Sequence, residues 1–196
     1  MRITLFDYGA GNLHSLAKAL QGTGRVVQLE TDPTKAIDTD VLVLPGVGAF
    51  GSASQALAPG HEAMRAALAG GLPCLGICLG MQLLFDESDE GAGAGLGAIP
   101  GRVERIRAAR VPQIGWNTID DTADVLFQAS GLEIAYYANS YICRPSDTSV
   151  VIGWSTHESD RFAAAVHSGA TVGVQFHPEK SSAPGLRFIE EFLRQC

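Results

Sequence analysis

The stretch Gly76-Ile77-Cys78-Leu79-Gly80 places a thiol midway between two glycines, at the end of the apolar run Leu72–Cys78. This is the G-x-nucleophile-x-G spacing of a strand-to-helix elbow. Such a turn crowds its neighbours, and glycines two residues away let the backbones approach. The helix that follows presents free N–H groups and a positive dipole end. Both favour the reactive thiolate, and the N–H of Leu79 would be one donor to a developing oxyanion. The competing reading is a core cysteine between two packing glycines.

A nucleophilic thiol needs a base and an orienting acid. Of the five histidines, His177 stands out because it lies in "GVQFHPEKS", after a run that reads as a core strand. His177 and Glu179 are two apart across Pro178, so in an extended segment their side chains leave on one side. Pro178 fixes its own φ and biases His177 towards extended backbone. Glu179 would accept from one imidazole nitrogen and leave the other for a thiol. A surface turn is the alternative. His14 and His61 read as helix-surface residues, His157 and His167 as loop residues.

Two glycine-rich loops remain. "PGVGAFG" at Pro45–Gly51 follows a buried run, and "DYGAGN" at Asp7–Asn12 follows the first one. Neither carries the G-x-x-x-x-G-K-[ST] or G-x-G-x-x-G phosphate signature. A loop of exposed N–H groups beside a thiolate serves equally as part of an oxyanion hole, and the first loop suits an active-site rim. Cys74, Cys78, Cys143 and Cys196 read as free thiols; no further paired thiols or histidines complete a zinc pattern, so no metal is expected.

The elements that must position these groups follow from the apolar pattern. Strands are expected at residues 2–6 and 26–30, in "DVLVLPG" and in "LPCLGIC", separated by helices at Asn12–Leu20 and Ser52–Ala69 and followed by one at Leu79–Phe85. After the glycine loop "GAGAGLG", short strands are expected near 103–106, 134–137, 150–154 and 162–166. "ATVGVQF" is a late core strand and Leu186–Gln195 a closing helix. Uninterrupted apolar runs alternating with helices predict an α/β fold of three layers, with a mostly parallel sheet and flanking helices. Ligands then sit at the carboxyl ends of the strands, where Cys78 falls. With 196 residues, 46% hydrophobic, the whole chain 1–196 reads as one domain. A net charge of −7 offers no footprint for nucleic acid or an anionic membrane. The absence of a bilayer-length apolar run or a leader predicts a cytoplasmic protein.

Three separated segments together resemble one family. "GICLGMQ", "GVQFHPE" and "PGVGAFG" are similar to the nucleophile, His-x-Glu and oxyanion-loop motifs of class I glutamine amidotransferases. "DYGAGNLHS", "VPQIGWN" and "FHPEKSS" narrow the resemblance to the glutaminase subunits of imidazole glycerol phosphate synthases. The resemblance implies hydrolysis of L-glutamine to glutamate and ammonia without a cofactor. The ammonia passes to a (β/α)8-barrel cyclase partner that makes imidazole glycerol phosphate and an aminoimidazole carboxamide ribotide in histidine biosynthesis. It implies Cys78 as nucleophile, His177 as acid/base and Glu179 as its orienter, with Val47, Gly48 and Leu79 as oxyanion donors. Gln82, one helical turn beyond Cys78, would hold substrate with Glu90, Ser140 and Tyr141. Asn12, Trp116, Asn117, Tyr136 and Lys180 are the expected cyclase-facing residues, since ammonia must not escape; Trp116 as core and Lys180 as a solvated lysine are the alternatives. Two departures stand out: Asn139 where many members have histidine, and Gln113-Ile114 where His-Met is common. The rivals are another class I amidotransferase subunit, such as that of anthranilate synthase, a stand-alone cysteine hydrolase, and a regulatory module without catalysis.

Overall fold

Val41–Leu44 and Cys74–Ile77 are buried at every residue, as strands covered on both faces must be. The computed structural model describes every residue except Ala10 and Asn12. The strands are β1 Arg2–Phe6, β2 Val26–Glu30, β3 Val41–Leu44, β4 Cys74–Ile77, β5 Glu87–Ser88, β6 Gly101–Arg105, β7 Gln113–Thr118, β8 Ile134–Asn139, β9 Tyr141–Pro145, β10 Val151–His157, β11 Asp160–Ser168 and β12 Thr171–Val174. The helices are α1 His14–Gln21, α2 Pro33–Ala36, α3 Phe50–Leu57, α4 His61–Ala69, α5 Leu79–Leu83, α6 Val125–Ser130 and α7 Ser182–Gln195.

The main sheet has the order β10-β11-β12-β4-β3-β1-β2. The five strands from β12 to β2 run parallel, while β11 and β10 add antiparallel. Alternate residues of the central strands enter opposite cores. Leu75 and Ile77 pack with Leu16 of α1 and with Phe188 and Phe192 of α7. Leu42 and Leu44 pack with Phe50 of α3 and Met64 of α4. The expected three-layer α/β arrangement is thus present. Among the described residues no helix is long and apolar enough to cross a membrane.

The order β12-β4-β3 matters most for function. It lays the carboxyl end of β12, which leads to His177, beside that of β4, which leads to Cys78. On the other side β3 leads into Pro45–Ala49.

Elements departed from expectation where local signals compete. The helix expected over Ser52–Ala69 is two helices, split by a 3-10 turn at Ala58–Gly60. Pro59 interrupts the hydrogen bonding, and a Cβ on Gly60 would lie 2.8 Å from Pro33 Cβ. The closing helix starts four residues early, at Ser182. β7 and β9 were not expected; β7 pairs with β8 as a separate ribbon and β9 with β6. His157 and His167 lie in β10 and β11 rather than in loops.

Candidate active site

Cys78 sits between β4 and α5 with φ 49° and ψ −104°, a backbone state that costs a side-chain-bearing residue about 1–3 kcal/mol. The flanking glycines make it feasible. A Cβ on Gly76 would lie 2.7 Å from the Gly80 carbonyl oxygen, and one on Gly80 would run into the Leu44 carbonyl. The elbow is therefore pressed against β3 as well as against itself. Gly46 marks the same convergence. A Cβ there would lie 2.8 Å from Cε1 of His177 and 2.9 Å from Cβ of Cys78. Three chain segments meet at one point.

His177 follows β12. Its backbone N–H donates to Tyr136 at 2.8 Å, and its carbonyl accepts from the Ser181 hydroxyl at 2.7 Å. These bonds fix the imidazole's base. Nδ1 meets Oε1 of Glu179 at 2.9 Å, with both side chains almost wholly buried. A surface turn is thereby excluded. Burial alone pushes the imidazolium down, but hydrogen bonds to Cys78 and Glu179, and the charge of both, outweigh it and raise His177 from 6.5 to about 9. The arrangement holds a proton on the imidazole between a sulfur and a carboxylate. Such a triad can generate a thiolate and return a proton to a leaving group. Burial, with charge from Cys196 and Cys78 respectively, pushes the thiols of Cys74 and Cys143 up, which keeps both as neutral packing groups.

Cys78 opens into a cavity of about 260 Å³ that Gln82, Glu90, Ser140 and Tyr141 also line. Gly48, at φ 105°, and Leu79, whose N–H begins a helix without an intrahelical partner, line it too. Val47 packs instead beside Gly11, whose added Cβ would lie 2.7 Å from that of Val47. Among the described residues no cluster of three or more His, Cys, Asp or Glu could hold a metal.

Sequence reasoning missed two parts of the site. One is Gln175, fully buried, whose Nε2 lies 3.5 Å from Sγ of Cys78. Its signal was available, because Gln175 stands two residues before His177, a spacing that in an extended run turns both side chains to one side. The other is the carbonyl of Tyr141, which accepts from Nε2 of Gln82 at 3.1 Å and from Nδ2 of Asn139 at 3.0 Å. Asn139 lines the cavity and is the direct cross-strand partner of Gln113. The two departures from the family pattern are thus one place in the fold. No local signal could show that.

Of the expected partner-facing residues, Trp116 and Tyr136 pack edge to face at 6.1 Å, and Nζ of Lys180 lies 6.0 Å from the Tyr136 ring. Trp116 is 55% exposed and Ile114 68%, so Trp116 is not core. Asn117 alternates to the other face of the ribbon, where it donates to Thr156 at 2.9 Å. Asn12 lies outside the described residues. Three of the other histidines bond elsewhere: His61 with Gly95, His157 with Arg110 and His167 with Asp124.

The family model described as "Glutamine amidotransferase class-I" matches residues 4–196. A Corynebacterium glutamicum protein named "Imidazole glycerol phosphate synthase subunit HisH" is 41% identical, over 97% of both chains. A Synechococcus protein of the same name is 43% identical, covering 100% of this chain and 95% of its own. Among solved structures, one titled "Crystal structure of glutamine amidotransferase" superposes with a TM-score of 0.78 at 18% identity, covering 97% of each chain.

Proposed function

The chain belongs to the class I glutamine amidotransferase family, and from that premise we propose that it is the glutaminase subunit of an imidazole glycerol phosphate synthase. It hydrolyses L-glutamine and passes the ammonia to a (β/α)8-barrel cyclase partner. The observation that carries the chemistry is the buried set of Cys78, His177 and Glu179, with Nδ1 of His177 2.9 Å from Glu179.

The Cys78 thiolate attacks the side-chain amide carbon of glutamine, and the carbonyl oxygen gains the negative charge. The N–H groups of the Val47–Gly48 segment and of Leu79 receive it; one such donor contributes ~10²–10³ in rate. As the C–N bond breaks, His177 protonates the departing nitrogen, and ammonia leaves behind a γ-glutamyl thioester. His177, now neutral, takes a proton from water, whose oxygen attacks the thioester carbon. The C–S bond breaks and glutamate departs. Glu179 holds the imidazole in one tautomer and stabilises its cation. Gln82, Glu90, Ser140 and Tyr141 surround the substrate. Trp116, Tyr136 and Lys180 face the cyclase.

The test is co-purification with the cyclase encoded by the same genome, followed by glutamate release with and without the cyclase's ligand. Strong stimulation by the loaded cyclase supports the assignment. Full glutaminase activity in the isolated chain contradicts it. Cys78→Ser should abolish turnover within detection, and normal turnover in that variant overturns the nucleophile.

A further inference from the structure

We propose that Gln175 is a further catalytic residue, whose side-chain N–H holds the Cys78 sulfur while it is an anion. This rests on the reading of Cys78 as nucleophile. Gln175 lies one residue beyond β12, beside Cys78 one residue beyond β4, because Val174 pairs with Ile77 in that ladder. Its own N–H donates to Ala164 at 2.8 Å, so its backbone is fixed independently of its side chain. Its side chain is fully buried.

The direction of the amide follows from its neighbours. The Tyr141 carbonyl can only accept, so Gln82 must turn its Nε2 towards it, at 3.1 Å. That same Nε2 faces Oε1 of Gln175 at 3.5 Å. Reversing Gln175 would bring two donors together and set a carbonyl oxygen against the sulfur. Its Nε2 is therefore directed at Sγ, 3.5 Å away. A donor to an anion favours the charged form, and a charge-assisted bond is the stronger kind.

The sulfur is an anion twice in the cycle. It begins as the thiolate, loses its charge when the C–S bond forms and ammonia departs, and regains the electron pair when water displaces it from the thioester. Gln175 stabilises both the attacking and the departing thiolate. The route also joins Gln82, which lines the cavity, to the nucleophile through one amide.

Alkylation by iodoacetamide, mapped to Cys78 by mass spectrometry across pH in the complex with the cyclase, tests this. Gln175→Met removes the donor at similar length. A less stabilised thiolate is scarcer but more nucleophilic. The variant should therefore alkylate about three- to fourfold more slowly at neutral pH and about threefold faster on the alkaline plateau, with the curve displaced upward by about one pH unit. Its kcat for glutamine should fall with KM within about twofold, because the donor touches the sulfur rather than bound substrate. Gln175→Leu removes the amide without adding a new donor and should displace the curve about as far. A curve that superimposes on the wild type in either folded variant, or one lowered by the same factor at every pH, overturns the proposal. If wild-type label instead falls on Cys74 or Cys143, the nucleophile reading itself fails. Selective labelling of Cys78 with an unmoved variant curve sinks only the role of Gln175.

Discussion

Glu90 accepts the backbone N–H of Phe50 at 3.0 Å, across forty residues of sequence. Phe50 is the first residue of α3, directly after the Pro45–Ala49 segment, and Glu90 lines the cavity beside Cys78. One carboxylate thus touches both the proposed substrate space and the helix start that anchors the proposed oxyanion loop. Negative charge at a helix start is favourable.

Glu90→Ala should lose that cap, costing about 1 kcal/mol and lowering the melting midpoint by about 2–4 °C. It should also raise KM for glutamine in the cyclase complex. Steady-state kinetics beside a thermal melt measure both, and an unchanged KM would remove Glu90 from the substrate wall.

Glu179→Gln keeps the shape and removes the charge. The His177 titration midpoint, followed by NMR of the ring protons, should fall from about 9, because burial then acts with less opposition. Glutaminase activity should fall by ~10²–10⁴. A midpoint that stays near 9 would show that Glu179 does not hold the imidazolium.

Stability should depend on pH through the same group. The folded value of His177, about 9, lies above its ordinary 6.5. The stabilisation, up to ~3 kcal/mol at ~1.4 kcal/mol per unit, is complete below pH 6.5 and is lost as pH rises through 9. Melting midpoints of wild type should decline over that window, and those of Glu179→Gln should decline less. Parallel curves would refute the assignment.

Gly80→Ala should be destabilising, since its Cβ would meet the Leu44 backbone carbonyl, which cannot rotate away. Overpacking costs about 1–3 kcal/mol, or roughly 2–12 °C in a chain of this size. Gly9, where an added Cβ meets nothing within 4 Å, has only its φ of +79° to oppose alanine. Equal midpoints for Gly80→Ala and wild type would contradict the packing of the elbow on β3.

Trp116→Ala should weaken cyclase binding by at least about 2 kcal/mol, the scale of an aromatic anchor at an interface centre, while leaving the melting midpoint of the isolated chain nearly unchanged. Titration calorimetry with the cyclase measures it; undiminished affinity would move the interface off the β7–β8 ribbon.

The sequence by itself determined the parts of this protein that obey local steric rules. Glycines two residues to either side of Cys78 specify a turn no bulkier residue permits, and Pro178 specifies the extended backbone of His177, whereas a 3-10 turn at Pro178–Lys180, not the expected extended run, brings Glu179 to the imidazole. Unbroken apolar runs specify buried parallel strands. Strand order is different in kind. That β12 lies against β4, nearly a hundred residues away in sequence, depends on pairing between distant segments, and no local period encodes it. Only that pairing sets Gln175 against the Cys78 sulfur, and only the β7–β8 ladder sets Gln113 opposite Asn139. The polar strand Gln113–Thr118, interrupted by Gly115, has too little apolar alternation to announce itself. It forms because Ile134–Asn139 offers an edge for it to pair with, and that choice belongs to the tertiary structure.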